Sequence, residues 1–318
     1  MPAAQYPSDP AEAAARLFLG WVGGHYARST VLGAARSLDG VWQGQATVGR
    51  RWSIGLTVLD TLTAASDFEF EAARAALERR LDAMEARIAL WVPRGAGVPA
   101  AEPALSALAA ALEAAAPLPD GRLELRRPVT LRIRRTATQG SVVTVLGGLS
   151  AHWAQFTNKV PGTFQLNSVE LHRLPADPDE RDALMQRIVR AAGQPDVDGG
   201  IELPAEEAWV ANEIEGDRAY VLGIPGAESD ESAARLRRNI RALLKRSEAV
   251  PPPDAGTRAL VVVGAATYAE EEKLSWSLKG MDPRLYSGFD IIAVVADGTV
   301  KPLLQPARGT LPWDAPLG

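Results

Sequence analysis

The sequence predicts a mixed α/β (α+β) fold: an N-terminal α/β layer with a central antiparallel β-meander, followed by a C-terminal α/β lobe with a mostly parallel sheet. Three patterns predict it. The first 120 residues alternate helix-period and strand-period segments. Residues 122–174 form the longest run with period-two character. Beyond the turn- and acid-rich stretch 175–180 the order becomes strand, helix, strand, helix, strand, and the segments 259–263 and 290–295 are almost wholly apolar, as in sheets covered on both faces. A break at 174/175 divides the chain into an α/β lobe carrying the meander, 1–174, and a C-terminal α/β lobe, 175–318.

The elements follow in order. Ser8 or Asp9 can cap a helix over 10–35, Pro10 suits its first turn, and Ala13, Leu17, Phe18, Trp21 and Val22 form its apolar stripe. Residues 41–62 read as a strand pair turning at Val48-Gly49-Arg50-Arg51, with Ile54, Leu56 and Val58 alternating in the second strand. Leu77, Leu81, Met84 and Ile88 share one face of a helix over 67–87. A short buried strand covers 88–92, and a helix with Leu105, Leu108 and Leu112 covers 102–115.

In the meander, Val129, Leu131 and Ile133 alternate with Thr130, Arg132 and Arg134, so the apolar set faces a core and the arginines face out. A turn at 138–141 leads back into a strand over 141–146, and Pro161-Gly162 turns into a third strand over 163–173. There Phe164 and Leu166 share one parity and Val169 and Leu171 the other, which implies a bulge near Asn167-Ser168 or cover on both faces. A helix over 178–192 and a polar loop over 193–200 open the C-terminal lobe. That lobe is built on strands at 218–224, 259–263 and 290–295, with helices over 229–245, capped by Ser229, and over 268–278. Asp297-Gly298 is a hairpin turn into 299–304.

The totals exclude several function classes. With 318 residues, 47% hydrophobic and 23% charged, the chain can bury a sizeable core. The absence of cysteine excludes a disulfide framework, a thiol nucleophile and Cys-ligated metals, and fits a cytoplasmic protein. No signal-like N-terminus and no run of 18 apolar residues occurs, so no membrane contact is expected. A net charge of −5 argues against coating nucleic acid through overall charge but leaves room for a local basic face. Only five of the 34 basic residues are lysine, which with the abundant alanine fits a GC-rich, bacterial genome.

The main constellation is a basic-aromatic patch: Arg126, Arg132, Arg134, His152, Trp153, Phe156 and Lys159. Guanidinium groups neutralise phosphates and aromatic faces stack on unpaired bases, so such a β face could hold nucleic acid. It could equally hold a protein partner, or be a solvated strand face beside a core Trp and Phe. A second constellation is acidic: Asp196, Asp198, Glu202, Glu206, Glu207, Glu213, Glu215 and Asp217. Paired carboxylates hold Mg²⁺ for phosphodiester chemistry. Pro195-Asp196, followed by acids and then strand, helix and buried strand, resembles the restriction-endonuclease-like core over residues 195–304. That resemblance implies a Mg²⁺-dependent nuclease or phosphodiesterase, although the strand at 219–223 carries neither the second acid nor the lysine of that family's motif.

Other signals are ordinary. Residues 223–229 form a strand-to-helix turn rather than a phosphate loop, and Asp60 ends a strand. His25, His152 and His172 have no metal-binding spacing. The expectation is therefore a non-catalytic binding subunit that contacts nucleic acid or a protein partner through the basic-aromatic β face and needs no cofactor. The alternatives are the Mg²⁺-dependent nuclease, in which Mg²⁺ is the one cofactor, and a structural assembly subunit.

Overall fold

The computed structural model describes residues 9–38, 41–60, 68–93, 96–171, 174, 177–224, 238, 241–242, 244–245, 247, 255–263, 278–296 and 298–314. Most of the helix expected over 229–245, its Ser229 cap, residues 268–277 of the next helix, Asp297 and His172 lie outside the described residues. So does the side chain of Asp60. The fold is of the mixed α/β, α+β class, and no described helix is long and apolar enough to cross a membrane.

Helix α1 (Pro10–Tyr26) starts as its sequence dictates. Asp9 accepts a hydrogen bond from the Ala11 N–H at 2.9 Å and Pro10 occupies the first turn. The helix is shorter than the expected 10–35. Ala27 adopts the left-handed conformation and its N–H bonds back to Gly23 O, so the Gly23-Gly24 region ends the helix, and Thr30–Leu38 becomes strand β1.

Strands β2 (Val41–Val48) and β3 (Trp52–Asp60) form the expected hairpin. Helix α2 (Phe68–Ala83), strand β4 (Ile88–Pro93), helix α3 (Ala104–Glu113) and the short β5 (Ala116–Pro117) follow. Then come β6 (Leu123–Ala137), β7 (Ser141–Gly147), β8 (Gly162–Ser168) and helix α4 (Pro178–Ala192). The chain continues through β9 (Ile201–Glu213), β10 (Tyr220–Ile224), β11 (Thr257–Val263), β12 (Ile291–Ala296) and β13 (Thr299–Leu304).

Among the described residues these strands form two mixed sheets. The first has the order β1-β2-β3-β11-β12-β13. The second has the order β10-β4-β9-β6-β8-β7, with β5 beside β6. Strands from both sides of residue 174 pair with one another in each sheet. The expected C-terminal strands do make parallel pairs, but β11 lies against β3 and β12, whereas β10 lies against β4. The strands at 218–224, 259–263 and 290–295 therefore do not share one sheet. The element order behind the endonuclease resemblance is likewise divided between two sheets.

The expected meander is also rearranged. β8, not β7, pairs antiparallel with β6, and β7 pairs parallel with β8. A parallel pair needs a crossover rather than a tight turn. Residues 148–161 supply it, anchored by the buried Leu149 and Phe156. The parity change after Leu166 is neither a bulge nor double cover: β8 ends at Ser168, Val169 is exposed, and a turn from Ser168 O to Leu171 N returns Leu171 to the core.

Helix α1 sits between the sheets. Ala11, Ala13, Ala14, Ala15, Leu17, Phe18, Leu19 and Val22 are all buried, so the helix is apolar nearly all round. It packs on Ile54, Leu56 and Val58 of β3, Ala259, Val261 and Val263 of β11, and Trp91 and Leu222 of the second sheet. The alternate residues of β11 and β12, Leu260, Val262, Ile292 and Val294, are buried on the opposite face of the first sheet with Leu244 and Met281. This accounts for the uninterrupted apolar runs. Helices α2 and α3 cover the other face of β4, β9 and β10, and α4 covers the β6–β8–β7 half.

Helix α2 also closes the β10 edge of the second sheet. Arg74, Glu78 and Asp82 recur at a spacing of four and lie on one helix face. Glu78 Oε1 accepts the Val221 N–H at 2.9 Å, Asp82 accepts the Ala219 N–H, and Arg74 Nη1 donates to Val221 O at 3.4 Å. Arg74 is also bridged to Glu71 at 2.7 Å.

Candidate functional site

Period-two geometry gives β6 two unlike faces. Leu131 and Ile133 point into the core with Phe164 and Leu166 of β8, Val143 of β7 and Ala205 of β9, against α4. Arg132 and Arg134 point the other way, as expected. Their neighbours on that open face are Asn167 and Gln165 of β8, then Leu146 and Thr144 of β7. On the β9 side lie Glu202, Pro204 and Glu206. The outermost strand, β7, exposes Val142 (53%) and Leu146 (42%). Where β8 has ended, Glu170 Oε2 takes the Thr130 N–H at 3.0 Å and continues the ladder with a side chain.

The seven residues of the basic-aromatic patch are not all on this face. Phe156 is 2% exposed and belongs to the core under β7, so its ring offers no face for stacking. Trp153 lies in the 3-10 turn Ser150–Gln155, and its side chain is outside the described residues. His152, in the same turn, is half-buried; burial, and after it the charge of Arg181, holds its pKa below the ordinary 6.5. Lys159 is exposed on the crossover. Arg126 is held by Glu124 and, at 2.6 Å, by Glu180 of α4. Arg132 bridges Glu202 at 3.2 Å with both side chains open to solvent. Arg134 is exposed and, among the described residues, forms no ion pair.

The acidic stretch is also dispersed. Pro195–Asp198 forms a 3-10 turn, where Asp198 bridges Arg135 at 3.2 Å. Glu202 and Glu206 lie on the open face, while Glu207 is buried on the other side of β9 and accepts from Trp209 Nε1 at 3.0 Å. The Arg127 guanidinium stacks 4.1 Å above that indole. Among the described residues no group of three or more His, Asp or Glu is arranged to hold a metal ion.

A cleft of about 450 Å³ opens between α1, β1, the end of β9 and the β12–β13 hairpin; Arg16, Trp21, Leu32, Arg122 and Ile214 help to line it. Its polar lining is occupied internally. Arg16 bonds Glu12 at 2.7 Å and Glu215 O at 2.8 Å, Arg122 bridges Asp120 at 2.7 Å, and Asn212 links Trp91 Nε1 to Gly298 O. Burial raises the Tyr220 phenol far above its ordinary value, so it stays neutral beside Arg16.

One cationic cluster was missed from the sequence. Arg50 and Arg51 read there as turn residues, but the fold brings Arg51 and the distant Arg28 to the ring of Trp52 at the β2–β3 turn, with Arg50 exposed beside them. The adjacency Arg50-Arg51-Trp52 beside Gly49 was the available signal; the approach of Arg28 was not visible locally. No protein-family model, curated protein or solved structure matches this chain.

Proposed function

We infer that the protein is a non-catalytic binding subunit that takes an extended, carboxylate-bearing segment of a protein partner on its open β7–β8–β6 face. The observation that carries this reading is the β7 edge. Among the described residues no strand pairs on its outer side and no side chain plugs the backbone of 142–145, while exposed Val142 and Leu146 flank it. An edge of this kind binds by strand addition, with main-chain hydrogen bonds giving affinity and alternate side chains giving specificity. Arg134, two strands in and free of an ion pair among the described residues, supplies a cation for the segment's carboxylates. Nucleic acid suits this face less well. Arg126 and Arg132 already have carboxylate partners, Glu202 and Glu206 share the neighbourhood, and Phe156 is buried.

Selection from a random displayed-peptide library tests the reading. The expected winners alternate apolar and acidic residues, protect β7 amides from hydrogen exchange, and lose at least about tenfold in affinity, roughly 1.4 kcal/mol, with Val142→Lys or Leu146→Lys. Peptide binding that ignores both substitutions sinks it, as does failure to select any peptide. A dimer in sedimentation that Val142→Lys dissociates would instead move the reading to self-assembly through β7.

A further inference from the structure

The β2–β3 turn carries a second surface, independent of the β7 edge. Gly49 adopts a positive φ of 64°, which tightens the turn, and its N–H bonds to Ser29 O at 2.7 Å. That bond ties the hairpin tip to the segment between α1 and β1, and so brings Arg28 to the ring of Trp52. A Cβ on Gly49 would stand 3.1 Å from the indole, so the tip closes tightly on Trp52. The Arg51 guanidinium carbon lies 4.8 Å from a Trp52 ring centroid and that of Arg28 lies 5.9 Å away. Arg50 and Arg51 are exposed. Among the described residues no carboxylate lies within ion-pair distance of Arg28, Arg50 or Arg51, and Arg28 Nε is buried without a hydrogen-bond partner.

This contrasts with Arg126 and Arg132 of β6, which are bridged to carboxylates. A guanidinium stacked on an aromatic face keeps its N–H fork free while its conformational freedom is reduced. A guanidinium bridged to a carboxylate has already used that fork. The exposed guanidinium groups of Arg50 and Arg51, with Arg28 beside them spending one long Nη1 bond on Ala27 O at 3.4 Å, suit phosphate oxygens, which accept bidentate arginine contacts. The tip is open rather than enclosed, so it presents a row of cations and not a pocket for one small anion. Trp52 is half-buried and hemmed in by Gly49 and two arginines, so the indole is not free to enter a lipid layer. Repeated phosphates along a strand are the ligand that fits.

We propose that the β2–β3 tip, through Arg28 and Arg51 oriented on Trp52 and the exposed Arg50 beside them, grips the phosphodiester backbone of nucleic acid. Binding is sequence-independent and salt-sensitive, because each arginine–phosphate contact releases condensed counterions, and the net charge of −5 adds no general attraction to this local cluster.

The test is fluorescence anisotropy of the full chain with short labelled single- and double-stranded oligonucleotides, over about 50 to 200 mM salt. The wild-type protein binds at low salt and weakens steeply as salt rises. The exposed double variant Arg50→Gln/Arg51→Gln loses about tenfold or more in affinity, and its log K against log salt slope is shallower by about 1.4 on single strands and about 1.8 on duplex, the value for two lost phosphate contacts. Arg132→Gln/Arg134→Gln, on the β6 face, leaves both quantities unchanged, and circular dichroism checks that each variant is folded. Absence of binding at low salt overturns the proposal. So does a loss carried by the β6 variant instead, or binding of phosphatidylserine vesicles with no binding of oligonucleotide.

Discussion

The second sheet ends in two unlike edges. At β10, one face of α2 meets the strand with Arg74, Glu78 and Asp82, which hydrogen-bond the backbone of Ala219 and Val221 where a further strand would pair. At β7 no comparable side chains reach the backbone of 142–145 among the described residues, and Val142 and Leu146 stand in solvent. Unpaired edges invite pairing with other chains, and proteins usually blunt them. Here one edge is blunted at considerable cost, since Arg74 and Glu78 are 3% and 0% exposed and must be desolvated. Blocking an edge was thus within reach of this fold, and β7 lacks the device. The difference leaves β7, among the described residues, as the edge of this sheet to which the proposed strand addition applies.

Opening the closed edge gives the largest expected effect. Glu78→Ala leaves the Val221 N–H without its acceptor, while Arg74 keeps its bridge to Glu71, and destabilises by about 1–3 kcal/mol, read from urea unfolding. A loss below about 1 kcal/mol would mean that the β10 edge is held by packing and not by charge.

The open edge rests on the crossover that carries His152. The neutral imidazole is favoured in the folded state, because burial and Arg181 depress its pKa. Below pH 6.5 the unfolded chain therefore binds a proton that the folded chain resists. The associated stability is fully present above pH 6.5 and is lost as pH falls through the folded value. Urea unfolding between pH 7.5 and pH 5.5 should show that decline, and His152→Gln should flatten it; equal slopes in the two proteins would place the pH sensitivity elsewhere.

The smallest effect is expected on the open face itself. Arg132→Ala removes a solvent-exposed bridge to Glu202 and changes stability by no more than about 1 kcal/mol. A larger loss would show that Arg132 helps to hold the β6–β9 pairing.

Locally encoded features were legible. The Asp9-Pro10 start of α1, the β2–β3 hairpin and the period of β6 each rest on neighbouring residues. The features that were not legible depend on distant pairing. In sequence β9 reads as an acidic stretch although Ile201, Leu203 and Ala205 alternate with Glu202 and Glu206, because Pro204 argues against a central strand. β8 slips between β6 and β7 because residues 148–161 cross over, and the sequence leaves open whether Phe156, whose burial anchors this crossing, is a stacking aromatic or a core ring. The surroundings of the arginines are not legible for a related reason. Alternation tells which way Arg132 points but not that Glu202 waits opposite, nor that Arg28 reaches Trp52 across a turn.

The burial of α1 between the two sheets also sets a timetable for biosynthesis. The helix is complete at Tyr26, yet the strands that cover it include β11 and β12, which end at Val263 and Ala296. At about 5–20 residues per second, a ribosome takes roughly 10 to 50 s to travel from the helix to the end of β11. Throughout that interval the apolar faces of Leu17, Phe18 and Val22 lack their final cover. The native core therefore closes late in synthesis, and until then the nascent chain presents an apolar surface of the general kind that chaperones shield.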